Sequence, residues 1–237
     1  MTQKPPLNLF RFDNRFEMVT AIQTAISERL LTDLMRSGRA SWAVSGGSTP
    51  APLFEAMSET GLNWANVDVA LVDERWVDVD HPRSNEAFVC RRLLRGRAEK
   101  ANFTGMKTDH PTPAEGLAEL NENYGALLLP FSSILLGMGP DGHTASFFPG
   151  AEGLDAALDP AGKDTCRALV ARKSDVTGEE IERVSITAPA IMAAKHVALM
   201  ITGQEKRHVL QAALTTDPDL PVGRLHKLRA FDIYWAP

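Results

Sequence analysis

The run ILLGMGPDGHTASFFPG (residues 134–150) sets an aspartate and a histidine, Asp141 and His143, inside a turn made by Gly137, Gly139 and Gly142. The glycines spell G-x-G-x-x-G, which cradles a dinucleotide when a strand leads in, a long helix leads out and an acidic residue follows. The strand is present. The helix is interrupted by Pro149 and Gly150, and the turn lies past the middle of the chain, whereas the fingerprint usually opens its fold. The turn is therefore read as a tight loop that holds Asp141 and His143 at a strand end with backbone N–H groups exposed. Histidine is the side chain best suited to moving protons near neutral pH.

SGGSTP (residues 45–50) is a second candidate, of a different kind. Gly46 and Gly47 let a backbone come close to a ligand, and Ser45, Ser48 and Thr49 add hydroxyls. With Thr49 as N-cap and Pro50 at the first helical position, the helix that follows would point its positive end at a bound anion. It is not a P-loop, since G-K-[ST] is missing, nor the G-x-S-x-G elbow of serine hydrolases. DERWV (73–77) puts Asp73, Glu74 and Arg75 at the end of a strand, with Arg75 able to grip a phosphate or polarise an oxygen. In HPRSNEAF, Ser84 and Asn85 stand at a helix start, read as caps or as ligands. Lys206 lies in the first turns of a helix, where a cation opposes the helix dipole and a bound anion would relieve the conflict. His81, His110, His196, His208 and His226 have no partner spacing, and no H-E-x-x-H or Cys/His cluster points to a metal.

These turns need a scaffold, and the hydrophobic pattern supplies one. LNLFRF (7–12), ASWAVS (40–45), VDVALVDERWV (67–77), SSILLGM (132–138), RALVAR (167–172), RVSIT (183–187) and HVALMIT (196–202) read as strands. Helical periodicity runs from Asn14 to Arg36 with Asp13 or Asn14 as cap, and helices are expected after Pro50, near 84–96, at about 113–128 and at 188–195. TGQEKRHVLQAAL opens a further helix with a capping box, Thr202 to Glu205. Near-continuous apolar strands separated by helices predict one α/β domain over residues 1–237, a doubly wound, mostly parallel sheet with helices on both faces. Ligands bind such sheets beyond the carboxyl ends of the strands, so SGGSTP, DERWV and GMGPDGH should meet in one crevice.

Composition narrows the occupant. The net charge is −5 with no basic stripe, which argues against nucleic acid and leaves an anionic ligand to local donors. No apolar run spans a bilayer, and MTQKPPLNLF carries no secretory stretch. Cys90 and Cys166 have neither metal nor redox spacing, so a cytoplasmic enzyme or binding protein is expected. Together the turns describe a crevice for a phosphorylated, oxygen-rich small molecule with a histidine and an arginine at hand.

In their order and spacing, SGGSTP, DERWV, HPRSN, LLGMGPDGHTASFFPG, RVSIT and TGQEKRHVL resemble the 6-phosphogluconolactonases, from about residue 15 to the C-terminus. The resemblance implies a Rossmann-like fold shared with glucosamine-6-phosphate deaminase and ribose-5-phosphate isomerase. It also implies hydrolysis of 6-phospho-D-glucono-1,5-lactone in the pentose phosphate pathway, with neither metal nor organic cofactor and with a sugar phosphate as the partner. On it, His143 takes a proton from water attacking C1, Arg75 stabilises the oxyanion and Asp141 orients His143. Gly46, Gly47, Ser48, Thr49 and Lys206 bind the phosphate, with Ser84 and Asn85 beside them. Two stretches depart from the family: KSDVTGEEIE lacks its short proline turn near Arg172 and Lys173, and LPVGRLHKL is only loosely similar. Two other readings stand beside it. The related deaminases carry a glutamate after the G-x-D-G-H element where this chain has SFFPG, and tend to have a tyrosine in place of the DERWV arginine. A sugar-phosphate sensor would usually carry a separate basic helix-turn-helix, whereas this chain goes straight into a strand.

Overall fold

The computed structural model describes residues 8–237. In chain order it runs β1 (Asn8–Arg11), α1 (Arg15–Ser37), β2 (Ala40–Val44), α2 (Ala51–Ser58), β3 (Val67–Leu71) and β4 (Asp73–Arg75). Next come α3 (Asn85–Arg92), β5 (Asn102–Thr104), α4 (Pro113–Gly125), β6 (Ser133–Leu136), α5 (Leu154–Ala157), β7 (Cys166–Val170) and β8 (Glu182–Ile186). The chain closes with α6 (Ala188–Ala193), β9 (Val197–Thr202), α7 (Gln204–Thr215), α8 (Pro221–Leu228) and β10 (Asp232–Ala236). Leu7, expected to open the first strand, lies outside the described residues.

Seven strands form one parallel sheet in the order β1-β10-β9-β6-β2-β3-β5. Every residue of β2, β3 and β6 is buried, and alternate side chains of a strand point to opposite faces, so both faces of the sheet centre are covered. The cover includes α1, which turns Met18, Ile22, Ile26 and Leu30 inward at helical spacing, each worth roughly 1.5–3 kcal/mol when fully buried. Asn14 caps it by accepting the Glu17 N–H at 2.9 Å. Gly38 ends it at φ 76°, its own N–H donating to the Leu34 carbonyl. From β2 the chain moves outward to β3 and β5, then returns to the other side of β2 as β6. The turns after β2 and β6 therefore flank the switch point where ligands of such sheets bind.

The expected sheet needs one correction. The apolar run 67–77 is not one strand, and the strands at 167–172 and 183–187 do not join the parallel sheet. β4, β8 and β7 form a separate antiparallel sheet. Val72 is the joint: its N–H donates to the Val44 carbonyl in the first sheet, while its carbonyl accepts the Ile186 N–H from the second. One residue thus serves two sheets, and the apolar pattern runs through it unbroken.

Two expected helix caps are absent. α2 starts at Ala51 with Pro50 in the cap position and no side-chain cap, so Thr49 does not cap it. At α7, Thr202 is still paired with Ala236 in the β9–β10 ladder, and Gly203 opens the helix at φ 84° in place of the expected capping box.

Candidate active site

The turn after β6 is held by cross-loop bonds. The Gly137 N–H donates to Ser45 Oγ at 3.2 Å, and Thr144 Oγ1 donates to the Gly137 carbonyl at 2.8 Å. The Gly139 N–H donates to the His143 carbonyl, and the Gly142 N–H, at φ 77°, to the Gly139 carbonyl. Inside this frame Asp141 Oδ1 accepts both the His143 N–H at 3.2 Å and the ring Nδ1–H at 2.5 Å. The carboxylate therefore reaches the imidazole, which leaves Nε2 as the nitrogen available for proton exchange. A Cβ on Gly139 would lie 2.1 Å from two ring atoms of His143, so glycine is required for the ring to sit there. Phe148 stacks on the imidazole, centroid to centroid 4.1 Å. Burial works to raise the Asp141 carboxyl, and the hydrogen bonds and charge of His143 outweigh it, leaving it below the usual range.

Across the pocket stands the turn after β2. Ser45 Oγ donates to the Leu135 carbonyl and ties the two turns together. Gly47 takes φ 92°, and a Cβ on Gly46 would meet Asn85 Oδ1 at 2.0 Å, so the glycine makes room for that carboxamide. Among the described residues the hydroxyls of Ser48 and Thr49 have no hydrogen-bond partner in the protein, and the N-terminus of α2 follows at once. Lys206, in the first turn of α7, faces the same space. Burial lowers its ammonium against the raising effect of Glu205 and Asp141.

β4 supplies the third wall. Its alternation sends Asp73 and Arg75 toward the pocket and Glu74 away from it. Asp73 accepts Ser146 Oγ at 2.7 Å, and its carbonyl accepts Asn85 Nδ2 at 2.8 Å. Arg75 Nη1 donates to the Arg83 carbonyl, while its buried Nε has no partner. Behind Phe148, the buried Arg183 guanidinium lies 5.2 Å from the ring centroid and donates to the carbonyls of Glu180 and Thr177. Desolvation, with Arg75 and Arg83 nearby, brings Arg183 down to about 10.

The pocket between these walls measures about 290 Å³. Eight of the residues expected at a site line it: His143, Arg75, Gly46, Gly47, Ser48, Thr49, Asn85 and Lys206. Asp141 stands behind His143. Ser84 is not brought to the pocket; it is buried and caps α3 through the Ala87 N–H. Arg172 and Lys173 also lie off it, Lys173 paired with exposed Glu179. The sequence assigned no role to Asp73, Ser146 or Phe148. Period-two alternation, read outward from Arg75, would have found Asp73; nothing in the local pattern marks the other two. Among the described residues, no group of three or more His, Cys, Asp or Glu is placed to hold a metal ion, and no helix is long and apolar enough to cross a membrane.

Comparison with known proteins places the chain in a family. The family model described as glucosamine-6-phosphate isomerases/6-phosphogluconolactonase matches residues 13–235. The chain is 37% identical to a 6-phosphogluconolactonase of Pseudomonas aeruginosa over 222 residues, 93% of this chain and 91% of that one. It is 35% identical to one of Rhizobium meliloti, covering 97% and 99%. A crystal structure of a 6-phosphogluconolactonase from Shewanella baltica superposes with a TM-score of 0.91 at 31% identity, covering 99% of each chain.

Proposed function

The chain belongs to the glucosamine-6-phosphate isomerase/6-phosphogluconolactonase family, and we propose that it hydrolyses 6-phospho-D-glucono-1,5-lactone to 6-phospho-D-gluconate. The observation that carries this reading is the His143–Asp141 pair facing an anion cradle across one small pocket. A lactone is an ester already open to attack by water, so a positioned base suffices and no covalent nucleophile is needed. His143 Nε2 takes a proton from a water at C1, the tetrahedral intermediate collapses, and the imidazolium returns the proton to the departing ring oxygen. General-base help of this kind contributes roughly 10²–10⁴-fold.

Asp141 fixes the ring orientation and favours the imidazolium as it forms. Arg75, whose guanidinium lines the pocket, stabilises the developing oxyanion. The Gly46–Thr49 backbone and hydroxyls, the start of α2 and Lys206 hold the 6-phosphate. Anchoring that remote group places C1 over His143, so its contacts support turnover as well as affinity. The isomerising deaminases of the family are disfavoured by residues 144–150, which hold no carboxylate and present Phe148 to the imidazole.

The test follows lactone generated in place from glucose 6-phosphate and its dehydrogenase. Decay well above the spontaneous rate is expected with the protein present. Decay at the spontaneous rate from folded protein, with ammonia released from glucosamine 6-phosphate, would overturn the reading.

A further inference from the structure

Glu74 takes no part in the reaction set out above, yet it is 1% exposed and surrounded by donors. Oε1 accepts the backbone N–H of Arg75 at 2.8 Å and of Asn85 at 2.9 Å. Oε2 accepts the N–H of Glu86 at 2.8 Å and the hydroxyl of Ser84 at 3.3 Å. Four donors from the end of β4 and the start of α3 thus converge on one carboxyl group. An ionised carboxylate only accepts, so it suits all four, whereas a protonated one would turn an O–H toward a backbone N–H. The helix dipole of α3 favours the same charged form. Burial opposes it, together with the Asp73 charge, and pushes the carboxyl up to about 7 in spite of the three backbone donors.

What this clamp holds is two pocket residues. Oε1 fixes Arg75 and Asn85 at the same point. Asn85 in turn donates to the Asp73 carbonyl and fills the space over Gly46 that a Cβ would take. A chain of contacts runs from Glu74 through Asn85 to the glycine turn after β2, and a shorter one to Arg75.

We propose that Glu74 is a positioning residue for the hydrolysis: its carboxylate, clamped between β4 and α3, sets Arg75 and Asn85 against the glycine turn and governs turnover through them. The proposal rests on the lactonase reading above. The titratable groups near Glu74 are Asp73, whose charge reaches it from the opposite face of its own strand, Glu86 on α3 and Tyr124 on α4, while on β8 its paired residue is the neutral Val184, next to Arg183.

The experiment measures kcat, KM and thermal melts for wild type, E74Q, N85A and E74Q/N85A across the neutral pH range. E74Q is expected to melt cooperatively with kcat lower by about 10- to 100-fold, since small misplacements of reacting groups cost that much. The acid limb of its kcat profile should be shallower than that of wild type by one proton. The loss in the double variant should be smaller than the product of the two single losses, because the route through Asn85 is shared while the one to Arg75 is not. Wild-type kcat per folded molecule in E74Q, or losses that multiply in the double variant, would overturn the proposal. If E74Q does not fold, E74D keeps the charge but is too short to reach both elements; reduced kcat with an unchanged acid limb supports the proposal, and wild-type kcat overturns it. An inactive wild type would instead contradict the lactonase reading itself.

Discussion

The two glycine turns that face each other across the pocket use their polar groups in opposite ways. The turn after β6 uses them internally: the Gly139 and Gly142 N–H groups close it, Thr144 braces it, and Asp141 holds both the backbone and the ring of His143. In the turn after β2, the Ser48 and Thr49 hydroxyls make no hydrogen bonds among the described residues, and α2 begins without a side-chain cap. A proton-transfer group works best when its rotamer is set before substrate arrives, so its loop must be self-satisfied. An anion site needs donors that no protein acceptor has claimed. The same residue type, glycine, serves both ends: at Gly139 it admits a ring, and at Gly46 a carboxamide.

The sharpest way to break the contrast is Gly139→Ala. Its Cβ would displace the imidazole, and kcat should fall by most of the roughly 10²–10⁴-fold that a general base supplies. Steady-state kinetics on a variant with a cooperative melt checks this. Next in size, Lys206→Ala acts on the other turn. Affinity for 6-phosphogluconate by calorimetry should weaken by about 1.5–3 kcal/mol, the worth of a charged hydrogen bond. Unchanged affinity would place the phosphate elsewhere.

The smallest effect sharpens the link between β4 and the phosphate turn. Burial pushes the folded-state carboxyl of Glu74 up to about 7 from its ordinary value of 4.5. Between those values the folded state holds the extra proton, so the Glu74 contribution to stability falls as pH rises, by at most about 1.4 kcal/mol per pH unit. Denaturant melts across that window should show a slope in wild type that is missing from E74Q. An identical slope in both would mean Glu74 does not titrate there.

Much of the site was legible because it sits at strand ends that the apolar pattern marks clearly. ASWAV and SILL are runs that only a two-sided burial explains, and the turns after them had to meet. The second sheet was not legible. Val72 continues the apolar run while the chain changes partners, and hydrogen-bond partners leave no trace in hydrophobicity. β5 escaped for another reason: Asn102–Thr104 is a short edge strand with no apolar run. Asn85 and Ser84 looked alike at a helix start. Only the fold shows Ser84 turned to its helix and Asn85 turned to Gly46. Asp141 and His143 could be seen as neighbours, but that the carboxylate bonds the ring depends on the φ of Gly142 and the bare Cα of Gly139.

The central claim is that His143 moves the proton while the opposite turn holds the phosphate, and one variant separates the two. For His143→Ala, kcat for the lactone and affinity for 6-phosphogluconate should be measured on the same folded preparation. The account predicts kcat down by roughly 10²–10⁴-fold with affinity close to wild type. Near-normal turnover, or a loss confined to affinity, would contradict it.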